Sequence, residues 1–177
     1  VHSTASKIRT GALTQVRIYR GQPDSRRDPR GYGASRRQHA EWVKSPLVNL
    51  TVRALRYPYG WPKESQPGER PQEKGIDVAL AMDFALMAVR REYEVGILMS
   101  TDTDLKPALE YVAGLTGDGG PRAEVAAWSG TAQYSRRLSI KTRKLYCHWV
   151  DEAAYRSIAD PRDYSVPDPT GAPPGRP

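Results

Sequence analysis

"GILMSTDTDL", Gly96–Leu105, decides how this chain is read. A short apolar run ends at Met99, and a polar turn follows with two aspartates one residue apart, Asp102 and Asp104. The run predicts a strand, "VGILMS", apolar on both faces as in the middle of a parallel sheet. In extended backbone, residues i and i+2 project to the same side, so the two carboxylates can converge on one point beyond the strand. Carboxylates that close repel each other, and desolvating either is costly. A metal ion, an arginine or water is expected beside them.

Working outward, "KGIDVALAMDFALMAVRREY" before the strand predicts a helix that is apolar on nearly every side and therefore mostly buried. "DLKPALEYVAGL" after it predicts another, with Pro107 tolerated in the first turn. "AEVAAWS" and "KLYCHWV" read as strands, "TAQYSRRLSIKTR" as helical early and polar later, and "DEAAYRSIA" as a short helix. Toward the amino end, "LTQVRIYR" alternates and predicts a strand over Thr14–Arg20, and "LVNLTVRALRYP" predicts a second. Between them "GQPDSRRDPRGYGA" reads as a loop, and a helix is expected from Ser35, with Ser35 as its N-cap. "YGWPKESQPGERPQE" is a long Pro/Gly/Trp-containing connection of the kind that is functional or mobile. Residues 160–177 are dense in Pro and Gly and read as a flexible tail to a domain spanning 1–159. Strands alternating with helices predict a three-layer α/β/α sandwich with a mainly parallel sheet, whose ligands bind at the carboxyl ends of the strands.

The chain has 177 residues and a net charge of +7, unevenly spread. Residues 1–72 carry a net +9, residues 73–120 a net −5 and residues 121–177 a net +3. An acidic middle between basic arms suits a protein that holds a cation and attracts a polyanion; a solvated surface of mixed charge is the plainer reading. No stretch approaches the roughly 18 continuous apolar residues of a membrane span. Cys147 is the only cysteine, which leaves no internal disulfide and accords with a reducing cytoplasm.

Asp77 opens the central helix and would join Asp102 and Asp104 if the preceding loop returns to the strand tops. Three carboxylates suggest a hard, oxygen-preferring cation, Mg2+ or Mn2+. Such an ion can position a phosphodiester, activate a water and neutralise the leaving oxygen. Structural roles compete: Asp77 suits a helix N-terminus, and Asp104 could cap the helix beginning near Leu105, whereas Asp102 has no equally simple structural role. Asp83 is off the Asp77 face and reads as a salt-bridge partner before a ligand. Cys147 with His148 could ligate zinc but lacks a second Cys/His cluster, so core packing is expected. His2 and His39 read as surface residues. Ser100 has no His partner, which argues against a serine hydrolase, and "GYGAS" lacks the pattern of a phosphate loop. Arg36, Arg37, Arg136, Arg137 and "KTRK" (Lys141, Arg143 and Lys144) are candidate RNA phosphate contacts, each alone more often a solvated face.

The text "EKGIDVALAMDFALMA", followed by "EVGILMSTDTDLKPALEYV", resembles the NYN domain family, relatives of the PIN-like ribonucleases. The matching positions are Lys74, Gly75, Asp77, Ser100, Asp102 and Asp104; "RQHAEW", "LRYP" and "CHWVDEAAY…DPRDY" look like actinobacterial-type members. The resemblance implies a PIN-like sandwich that binds Mg2+ or Mn2+ and cleaves RNA, with Asp77, Asp102 and Asp104 as metal-binding acids. Ser100 and Thr103 would support them through hydrogen bonds, and Lys74 would contact a phosphate or fix a carboxylate. It also implies an initial strand ending in an aspartate. No such segment is found, "LTQVRIYR" matches the family's second strand, and an N-terminal piece is expected to be missing. Two other readings stay open: a catalytically impaired RNA- or protein-binding module of the same fold, and an Asp-x-Asp phosphatase with Asp102 as nucleophile. Pairing of the acidic rim with basic surface of a second copy would make a homodimer.

Overall fold

A computed structural model describes residues 11–63, 68–130 and 136–166. The chain is α/β and divides into two compact units, the first from residues 11–76 joined by 161–166 and the second from Asp77–Asp160. No helix among the described residues is long and apolar enough to cross a membrane.

In the first unit, β1 (Val16–Gln22) and β2 (Val48–Ala54) pair in parallel, in register from Val16↔Val48 to Gln22↔Ala54. Parallel neighbours need a crossover, and α1 (Pro29–Trp42) supplies it. The helix starts six residues before Ser35, which corrects the expected cap. Asp28 is the N-cap, its Oδ1 accepting the Gly31 amide at 2.9 Å, and Pro29 occupies the first turn. A Cβ at Gly31 would collide with the capping carboxylate, so a glycine that reads as loop is the residue that this helix start accommodates. His39 is buried, contrary to the surface expectation, within reach of Ser35 Oγ at 3.2 Å. The amide of Gly21 points away from β2 and donates to Glu73 Oε1 at 2.8 Å, which caps the open edge of β1 at that point. Residues 160–166 include a docked portion: Arg37 donates to the carbonyls of Tyr164 and Ser165, and Arg162 pairs with Glu41. Residues 167–177 of the expected tail lie outside the described residues.

The second unit holds a three-stranded parallel sheet in the order β3 (Val95–Met99), β4 (Arg122–Ser129), β5 (Cys147–Asp151). Three helices accompany it: α2 (Ile76–Val89, almost entirely in this unit), α3 (Lys106–Leu115) and α4 (Glu152–Ile158). β4 is central, and every residue from Ala123 to Ala127 is buried. Leu98, Leu105, Leu109, Val112, Val125, Leu138 and Leu145 form the core with Ala88, Phe84 and their neighbours. Gly96 is required by packing, because a Cβ would stand 2.7 Å from the rings of Phe84 and Tyr93. Those rings stack at 5.9 Å, and Tyr93 donates its hydroxyl to the Phe84 carbonyl at 2.7 Å.

Two sequence expectations change here. Among the described residues β3 is an edge strand buried on one face only: Gly96 and Leu98 point into the core, while Ile97 and Met99 are 48% and 68% exposed. α2 is likewise not mostly buried, because Leu80, Ala81, Phe84, Ala85 and Ala88 face the core and Val78, Met82, Leu86 and Val89 remain exposed. Hydrophobic composition permits burial, but only a packing layer produces it. The helical part expected in "TAQYS" lies outside the described residues; residues 136–146 form an irregular connection without a helix.

Candidate functional site

Both candidate aspartates follow the carboxyl end of β3. Backbone at Asp102 is extended, and residues Thr103–Leu105 then turn as a 3-10 helix before α3 begins. Asp102 caps that turn: its Oδ1 accepts the amide of Asp104 at 2.9 Å. Its own amide donates to Ser100 Oγ at 3.1 Å. The structure therefore gives Asp102, not Asp104, the capping role, and it replaces the extended i/i+2 geometry with a turn. Apolar Leu105, 1% exposed, anchors the turn in the core. Asp102, Thr103 and Asp104 are exposed and Ser100 is half-buried. Local structure thus holds two carboxylates in water on a fixed backbone, with one Asp102 oxygen already spent on the cap.

Asp77 lies exposed in the first turn of α2, where a carboxylate is favoured by about 0.3–1 kcal/mol. Lys74 is exposed in the first unit, just ahead of Gly75, whose φ of +73° is the left-handed region that favours glycine. Asp83 is half-buried in α2. Mg2+ is commonly held by one or two carboxylates together with water and substrate phosphate, so the Asp102–Asp104 pair fits such an ion in donor chemistry. Asp77, Asp102 and Asp104 are not gathered into one cluster: among the described residues no three His, Cys, Asp or Glu side chains form a group able to hold a metal.

The basic candidates separate. Arg36 is half-buried in α1, and Arg37 is committed through Nε and Nη2 to the chain at Tyr164 and Ser165. Arg136 is exposed. Arg137, Lys141, Arg143 and Lys144 line a cavity of about 290 Å³ in the β4–β5 connection. A second cavity of about 120 Å³ shares Arg143, Lys144 and Leu145 with it and reaches Arg122, Ala123 and Glu124 at the start of β4. That places the basic cluster by the amino end of the sheet, whereas Asp102 and Asp104 stand beyond the carboxyl end of β3.

Glu124 and His148 carry a feature that the sequence reading missed. Glu124 is 1% exposed on β4, and its Oε2 lies 2.7 Å from His148 Nε2 on β5. An acidic residue inside the apolar run "AEVAAWS" and a histidine in "CHWV" were the available signals. Neighbouring Cys147 is buried, and burial pushes its thiol up, with Arg137 opposing. Cys147 therefore packs in the core, and His148 Nε2 is engaged with Glu124.

Comparison with known proteins adds no relative: no family model, no curated protein and no solved structure matches the chain.

Proposed function

We propose that this chain is a metal-dependent ribonuclease domain of NYN type, hydrolysing RNA phosphodiester bonds with Mg2+ or Mn2+ in a cytoplasmic setting. The supporting observation is the position of Asp102 and Asp104, exposed and fixed at the carboxyl end of a parallel strand, the end at which α/β sheets bind ligands. When bound there, the cation supplies an activated water and charge neutralisation at the leaving oxygen. The chain's part is to hold the ion on the two carboxylates and to fix the backbone through Ser100 Oγ and the Asp102 cap. Thr103 supports that pair in this reading, and the finer architecture that accompanies it is a three-layer α/β/α sandwich.

The test is incubation with labelled single-stranded RNA in Mn2+ or in EDTA, beside Asp102→Asn. Asparagine caps as well as aspartate, so the turn survives while the charge is lost. Cleavage that requires metal and falls at least ~100-fold in the variant is the expected result, the scale of removing one charge-stabilising group. Equal RNA processing by wild type and variant, or none by either, overturns it.

One observation favours a second reading. No three-residue metal group exists among the described residues, which suits a non-catalytic RNA-binding module of the same type. RNA bound with unchanged affinity in EDTA and in Asp102→Asn, without cleavage, is its signature.

A further inference from the structure

We propose that the cavity of the β4–β5 connection is a separate anion site that holds the phosphate backbone of RNA at the opposite end of the sheet from Asp102 and Asp104. The inference rests on RNA being the ligand, and not on cleavage. Arg137, Lys141, Arg143 and Lys144 line about 290 Å³, room for a phosphate group with its water. Among the described residues no acidic side chain lines this cavity, and Lys141, Arg143 and Lys144 form no ion pair. Four like charges within eight positions repel each other, and a bound polyanion relieves that repulsion.

The connection is irregular yet anchored. Leu138 and Leu145 are 2% and 7% exposed in the core, and Ile140 packs beside them. Arg137 closes the segment by donating Nη1 to the Leu145 carbonyl at 3.3 Å. The anchors leave Lys141, Arg143 and Lys144 exposed on one short stretch of fixed backbone. Such preorganisation lowers the ordering cost of binding.

Place distinguishes this site from the carboxylates. Its partner cavity opens on Arg122 and Ala123, the first residues of β4, which pair with Val95 and Gly96 at the start of β3. Asp102 lies past the other end of that strand, five residues long, or about 16 Å at a strand's rise. One phosphate cannot touch both ends, so a strand must extend along the sheet to use both. Among the described residues no aromatic ring lines the larger cavity, whose cations offer contacts to backbone charge. The Glu124 carboxylate lines only the smaller cavity, where His148 engages it.

The experiment measures binding of a fluorescent single-stranded RNA of about 20 nucleotides in EDTA, long enough for a multi-phosphate site. Wild type is compared with K141Q/R143Q/K144Q, whose three positions are exposed, and with Arg90→Gln, an exposed cation outside the cavity; unchanged far-UV circular dichroism checks the fold of each. The triple variant is expected to bind about tenfold or more weakly and to lose ~2 from the slope of log K against log salt, the counterion release of three contacts. Arg90→Gln is expected to keep both. Because EDTA removes catalysis, failure of the ribonuclease reading leaves this result untouched. An unchanged slope and affinity in a folded triple variant overturn the proposal. So does competition by inorganic phosphate that depends on the three residues while RNA affinity does not, which would make this a small-anion site.

Discussion

The two units are built from similar parts and held by different forces. Asp77–Asp160 buries nearly all of the large apolar side chains that are buried, including Leu105, Leu109, Val112 and Val125 at or below 1% exposure. Among the described residues of 11–76 the buried side chains are His39 and Ile76, at 6% and 5% exposure. Polar locks take over there: the Asp28 cap, the Glu73 carboxylate on Gly21, Arg37 on the Tyr164 carbonyl, and Glu41 between Lys44 and Arg162. Area removed from water stabilises one unit, and individually small hydrogen bonds and ion pairs the other. The candidate carboxylates sit on the unit with the rigid core, which suits a site that must keep its geometry.

If that division holds, truncating the apolar core should have the largest effect. Leu109→Ala, at a fully buried position of α3, is expected to cost about 2–5 kcal/mol, read as a lower denaturant midpoint. A loss under about 1 kcal/mol would break the comparison. Filling the glycine under two rings comes next: Gly96→Ala forces Phe84 and Tyr93 apart and is expected to cost about 1–3 kcal/mol. In the polar unit, Asp28→Ala removes the α1 cap and should cost about 1 kcal/mol, with the helical signal of α1 lost first on heating.

A smaller effect should appear with pH. Burial holds His39 below its ordinary value, and Arg20 and Arg36 lower it further. The unfolded chain therefore takes up a proton that the folded one resists. His39 contributes its full stability above about pH 6.5, and that contribution is lost as pH falls through the depressed folded value. Denaturant midpoints at pH 8, 6.5 and 5, followed by tryptophan fluorescence since His39 lies 5.7 Å from Trp42, should decline less steeply in His39→Gln. Equal declines would assign the acid sensitivity elsewhere.

Much of the backbone plan was legible because it follows local rules. "VGILMS" bounded by polar residues specified a strand, "KPALEYV" with proline in its first turn specified a helix, and the β-branched run around Val48–Ala54 specified a strand. α1 was misread at its start because glycines normally signal loops; Gly31 is there to admit the Asp28 carboxylate. The acidic pair was legible by composition and spacing, but its roles were reversed. Either aspartate could accept a backbone amide, and only the turn after Met99 made Asp102 the cap.

The sequence by itself therefore determined the alternation of strands and helices, the uneven charge, and the two aspartates after β3. Each is set by propensity and order along the chain. Tertiary structure alone decided that β3 lies at a sheet edge with Ile97 and Met99 open, that His39 and Glu124 are buried, and that Arg143 and Lys144 sit near the start of β4. Those facts depend on which distant segments become neighbours. Burial and the separation of charges are properties of the packed arrangement, and no local pattern of residue types encodes them.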